Sequence, residues 1–157
     1  MLTNATALAG DLERCRGVVR RQTEGLSHAD SLIQPPVRGN CLNWIIGHIV
    51  HNQDLILLAL GQPPIWTYDE ARRYKRESDP ISDEAQALPL ERLLRDLDAS
   101  TERILTGLHA ATPEMLAVSH QQKTVAEHIA LLIWHETYHV GQLELLRQLA
   151  GKNDKVS

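Results

Sequence analysis

The sequence predicts an all-α protein, a four-helix bundle, from three observations. Four long stretches carry apolar residues at the three-four spacing of amphipathic helices. Strand-like alternation is almost absent, and no internal repeat or low-complexity segment stands out. Phenylalanine is missing and aromatics amount to 4%, so a core must come from leucine, isoleucine, valine and alanine, which interdigitating helices use readily. A chain of 157 residues can enclose such a core, and a single domain is expected over residues 1–157.

The first helix is expected from about Thr3 to Gly25, with Ala5, Leu8, Leu12, Cys15, Val18 and Val19 on one face, Gln22 interrupting and Leu26 beyond. Pro35-Pro36-Val37-Arg38-Gly39-Asn40 then breaks regularity. Asn40 or Asn43 is expected to cap a second helix running through Trp44, Ile45, Ile46, His48, Ile49, Leu55, Ile56 and Leu60, with Gly61 and Pro63-Pro64 as its stop. That helix is apolar on more than half its circumference and should be central. The charged stretch from Gln62 to about Leu88 exceeds the usual connection between neighbouring helices and is expected to cross over one end of the bundle. Pro89 reads as the first residue of a third helix, with Leu90, Leu93, Leu94, Leu97, Thr101, Ile104, Leu105 and Leu108 inward, ended by Pro113 and the polar run to Lys123. Thr124, with Glu127 three residues later, forms a capping-box pattern before a fourth helix carrying Ile129, Leu131, Leu132, Ile133, Leu143, Leu145, Leu146 and Leu149.

Net charge is −4, and sixteen basic residues are scattered among twenty acidic ones, which argues against a nucleic-acid partner. Arg14, Arg16, Arg20 and Arg21 form the densest basic group, but Asp11, Glu13 and Glu24 flank them, so they read as a solvated face. The segment Met1–Thr6 shows no charged leader followed by an apolar run, and no apolar stretch is long enough to span a bilayer, so no membrane partner is expected. Cys15 and Cys41 lie far apart without paired-ligand spacing, and a reduced cytoplasmic compartment fits them. Cys15 falls on the apolar face of its helix. Cys41 reads as a structural thiol, although a helix terminus beside it would favour a thiolate.

The strongest functional signal is Trp134-His135-Glu136-Thr137-Tyr138-His139. On a helix the two imidazoles stand about 40° apart around the axis and ~6 Å apart along it, so both can point at one ion. Burying them among Leu131, Leu132 and Leu143 removes water partners from the ring nitrogens, which coordination offsets. His-Glu-x-x-His is also the zincin protease string, but no histidine follows His139 and no sheet is predicted to hold an extended peptide, so that reading fails on context. Glu136, rotated by about 100° from His135, reads as facing solvent or reaching a water at the rim. A third ligand must come from another helix, and His48 and His51, about 60° apart, are the candidates. Spacing does not choose between them, though Gly47 would let another backbone approach and so favours His48 toward the crowded interior. His128 lies ~10 Å along the axis from His135, too far for the same ion, and reads as a polar group at the bundle mouth. His28, His109 and His120 fall near loops or helix ends and receive no role.

Asn43-Trp44-Ile45-Ile46-Gly47-His48-Ile49-Val50, ending in Ala59-Leu60-Gly61, together with His135-Glu136-Thr137-Tyr138-His139-Val140-Gly141-Gln142-Leu143, resembles the DinB-like (YfiT-related) superfamily over nearly the whole chain. The resemblance implies an up-down-down-up bundle and a three-histidine metal site matched here by His48, His135 and His139. It implies a divalent cation, zinc or nickel, with open positions, and a homodimer. Some relatives are thiol-dependent transferases or isomerases, and others are described as metal-dependent hydrolases or damage-inducible proteins. The expected function is therefore a metal-dependent S-transferase or hydrolase acting on a small molecule, its ion activating a low-molecular-weight thiol or water. Gln142, one turn beyond His139, is a candidate for orienting a ligand, no general base is named, and the catalytic residues stay open. The rival is a non-catalytic metal-binding stress-response module, favoured if His51, Asp54 or Cys41 closes the site with a fourth ligand.

Overall fold

The computed structural model describes residues 4–81 and 83–154. Its helices are α1 (Ala5–Thr23), α2 (His28–Ser31), α3 (Leu42–Ala59), α4 (Tyr68–Ala71), α5 (Leu90–Ala110), α6 (Pro113–Ala117), α7 (Val125–Val140) and α8 (Leu143–Leu149). The all-α expectation holds, with one small addition. Ser119–His120 (β1) and Lys123–Thr124 (β2) pair antiparallel across Gln121 and Gln122, both at positive φ. Two left-handed residues make this hairpin turn, and Gln-Gln lacks the Asn-Gly signal by which such turns are usually read.

Side-chain pairs set the helix directions. Arg16 reaches Asp98 and Glu102 while Arg20 reaches Asp98, so α1 and α5 run antiparallel. Asn52 donates to the Leu132 carbonyl and His48 meets His139, so α3 and α7 are antiparallel. Asn43 lies beside Leu88 and Gln53 beside Ser100, making α3 and α5 parallel. Cys15 meets Thr137 and Arg147 donates to the Gln22 carbonyl, so α1 runs parallel to the α7–α8 segment. The basic group on α1 is thus more than a solvated face, because Arg16 and Arg20 tie it to α5.

Local chemistry explains the helix limits. Asn4 caps α1 by accepting from the Ala7 amide, and the expected start at Thr3 lies outside the described residues. At the end of α3, Gly61 sits at φ 71° and its amide bonds the Leu58 carbonyl, while Gln62 bonds Leu57, a Schellman closure that needs the left-handed glycine. The start of α3 differs from expectation. Cys41 occupies the cap without a side-chain bond, while Asn43 is buried, donating to the Leu88 carbonyl and accepting from the Tyr74 hydroxyl. Pro89 is the cap of α5 and not its first residue. The capping box forms as read: Thr124 accepts from Glu127 and Glu127 accepts from Thr124. The fourth helix is two segments, because the ladder shortens at Gly141–Gln142, where Gln142 bonds His139. Leu131, Leu145 and Leu149 are exposed there, together with Trp134 and Tyr138.

The crossover between α3 and α5 does not cap one end of the bundle. Since α3 and α5 are parallel, the chain must return along the length of α3. Asp54 accepts from the Ile65 and Trp66 amides, Tyr74 packs at Gly47, and Trp44 donates to Ser78. Trp66, Tyr74 and Ile81 are buried, so this stretch contributes to the core despite its charged composition. No helix among the described residues is long and apolar enough to cross a membrane.

Candidate metal centre

His48 from α3 and His135 and His139 from α7 converge, their ligand atoms all lying within 4.8 Å of one another. The helix spacing places the second and third on one face, and antiparallel packing brings α3 opposite them. His48 Nε2 is 3.0 Å from His135 Nε2, which is 3.2 Å from His139 Nε2. Nitrogens held ~2.1 Å from a common centre at roughly 90–110° stand about 3.0–3.4 Å apart, so these separations suit one ion.

The proton inventory points the same way. His48 Nδ1 is 2.6 Å from the Tyr74 carbonyl oxygen, which only accepts, so Nδ1 carries the hydrogen. His139 Nδ1 stands likewise 2.8 Å from Gln142 Oε1. In the neutral rings both Nε2 atoms then present bare lone pairs. His135 Nε2 faces both, and a single proton on it can serve only one. A cation among the three relieves the remaining lone-pair contact, so this donor set fits a metal ion.

Burial keeps the rings neutral. Desolvation pushes His48 down to about 4, with His139 and His135 adding to the depression against the opposing Tyr74 hydrogen bond. Desolvation also lowers His139 and His135, helped at His135 by the Arg76 charge. Trp44 stacks on His48 with centroids 4.7 Å apart and covers one side of the site, while Tyr138 lies edge-on to His139.

Other candidates go elsewhere. His51 is 6.3 Å from His48 between ring centroids and outside the converging group, its Nδ1 buried and without a hydrogen-bond partner among the described residues. Asp54 is engaged with two backbone amides. Cys41 is fully buried, and desolvation raises its thiol pKa, which overturns any thiolate at that helix start. His128 packs against His120 by the hairpin, and His28 accepts from the Leu90 amide at the start of α5. The close approach expected at Gly47 comes from the Tyr74 ring and not from a backbone.

Glu136 corrects the sequence reading most clearly. It is 1% exposed and faces the bundle centre, where the Gln53 amide donates to both carboxyl oxygens. Gln53 Oε1 in turn accepts from Ser100 and Thr101. Burial raises Glu136 to about 8. Rotation away from the histidines turns it inward because α7 is packed on both flanks by α1 and α3. The missed signal was polar Gln53 and Ser100 set among inward apolar positions on their helices.

A solved structure described as the crystal structure of the conserved protein of locus from Enterococcus faecalis is similar to this chain, with a TM-score of 0.75 and 17% identity, covering 97% of this chain and 100% of that one. At that identity the likeness is one of fold. No curated protein matches the sequence. The family model of the DinB superfamily matches residues 11–143, which include the helices bearing all three histidines. The chain belongs to the DinB superfamily.

Proposed function

We propose that the protein binds a divalent cation, zinc or nickel, through His48, His135 and His139, and acts as a metal-dependent thiol transferase or hydrolase on a small molecule. The observation that carries this reading is the convergence of three Nε2 atoms, with Nδ1 of His48 and His139 each tied to an oxygen acceptor. When bound, the ion lowers the pKa of a thiol or water that reaches it. The chain's own residues orient the imidazoles through Tyr74 and Gln142, exclude solvent with Trp44 and present Tyr138 at the margin.

A closed four-ligand site would favour a non-catalytic metal-binding module. Asp54 and Cys41 are placed elsewhere, which supports an open position and hence chemistry. The exposed Leu131, Trp134, Tyr138, Leu145 and Leu149 support the homodimer that the resemblance implies, and sedimentation tests it.

Elemental analysis of protein purified without added metal, then titration of stripped protein with zinc and nickel, tests the binding. His48→Ala should abolish it and His51→Ala should preserve it. The reverse pattern overturns the ligand set. Turnover of thiol-plus-electrophile or ester substrates separates the enzyme from the module, because chelator-sensitive stability without any turnover favours the module.

A further inference from the structure

We propose that Tyr74 is a positioning residue that couples the crossover to the metal centre, an inference that rests on the metal-binding reading above. Tyr74 is 1% exposed, although Arg72, Lys75 and Arg76 around it are exposed. Three contacts hold it inward. Its ring occupies the space over Gly47, where a Cβ would meet ring carbons at 2.2–2.6 Å. Its hydroxyl donates to Asn43 Oδ1 at 3.1 Å and accepts from the Leu88 amide at 2.7 Å, tying the middle of the crossover to the starts of α3 and α5. Its carbonyl accepts from His48 Nδ1 at 2.6 Å.

The last contact connects the crossover to the chemistry. A carbonyl at Nδ1 selects the tautomer that bares Nε2 and fixes the plane of the ring. A cation on Nε2 draws electron density from the imidazole and makes Nδ1–H a stronger donor, so it tightens the bond to Tyr74. Lifting the crossover releases the ring and weakens the donor. Linkage makes the two effects equal: whatever factor the seated crossover adds to cation affinity, the cation adds to seating of the crossover.

Arg72, Arg73, Lys75 and Arg76 surround Tyr74 and make the crossover a tryptic reporter, while Lys123 in the hairpin is an internal reference. The test uses the full chain, stripped with chelator and reloaded with zinc, with cleavage sites mapped by mass spectrometry. Zinc should slow cleavage around Tyr74 by roughly tenfold or more relative to Lys123. Tyr74→Phe, which keeps the ring and loses both hydroxyl bonds, should weaken zinc binding by about tenfold and shrink the protection by the same factor. Gly47→Ala should weaken binding further by displacing the ring. If that variant fails to fold, Tyr74→Phe still decides the matter. The proposal is overturned if zinc binds the wild-type chain without changing relative cleavage, or if Tyr74→Phe is cleaved faster yet binds zinc with wild-type affinity. If the wild-type chain binds neither zinc nor nickel, the metal reading fails and takes the coupling with it.

Discussion

Replacing Glu136 with glutamine should stabilise the chelator-stripped protein increasingly as pH rises. The carboxyl is buried at the bundle centre, where the Gln53 amide donates to it, and burial raises its pKa from 4.5 to about 8. Between those values the folded state keeps a proton that the unfolded chain has released. The unfolded state therefore binds one proton fewer, and stability falls with pH by about 1.4 kcal/mol per unit. Below 4.5 both states are protonated and this loss is absent; above about 8 both are ionised and it saturates near 5 kcal/mol, from about 3.5 pH units at ~1.4 kcal/mol each. Glutamine does not titrate. Between pH 5.5 and 7.5 the stability of Glu136→Gln relative to wild type should thus climb by roughly 2–3 kcal/mol. Urea unfolding of both proteins at the two pH values measures it. Titration of the histidines is common to both chains and largely cancels, and the fixed effect of a new amide shifts the intercept but not the slope. A difference that stays constant with pH refutes a protonated Glu136.

Gln142→Ala removes the acceptor of His139 Nδ1 and should weaken zinc binding roughly 10- to 100-fold by calorimetry, so unchanged affinity would remove Gln142 from the site. Thr124→Ala strips the cap from the helix carrying His135 and His139 and should lower stability by about 1 kcal/mol, seen as a lower melting temperature. Asp54→Ala leaves the Ile65 and Trp66 amides without their acceptor, costing about 1–3 kcal/mol for a buried orphaned donor. Amide exchange at those two residues should speed up accordingly; if protection persists, Asp54 does not anchor the crossover.

Local patterns are legible where neighbours in sequence are also neighbours in space. The Thr124–Glu127 box, the Gly61 stop and the inward leucines of α5 depend on contacts within a turn or two, so the sequence alone displays them. The failures share the opposite property. Asn43 reads as a cap because asparagine caps helices, but parallel packing of α3 and α5 gives it the Leu88 carbonyl and the Tyr74 hydroxyl instead. The charge of residues 62–88 suggested a loop over one end, whereas its few large apolar side chains, Trp66, Tyr74 and Ile81, settle against α3.

The same division runs through the candidate centre. Spacing alone put His135 and His139 on one face, since the α-helix repeats every ~3.6 residues. Spacing leaves His48 and His51 equivalent, because residues three apart on a helix can each be turned inward by a small rotation of the axis; the packing of α3 against α7 turns His48 toward His135 and His139. Which imidazole nitrogen is free was decided by Tyr74 and Gln142 oxygens, and the inward course of Glu136 by Gln53, Ser100 and Thr101. The sequence by itself determined the helices, their apolar faces and the pair of histidines on one helix face, all short-range consequences of helix periodicity. Tertiary structure alone decided the third histidine's company, the tautomers and the buried acid, because those depend on which groups from distant segments share a space that water has left.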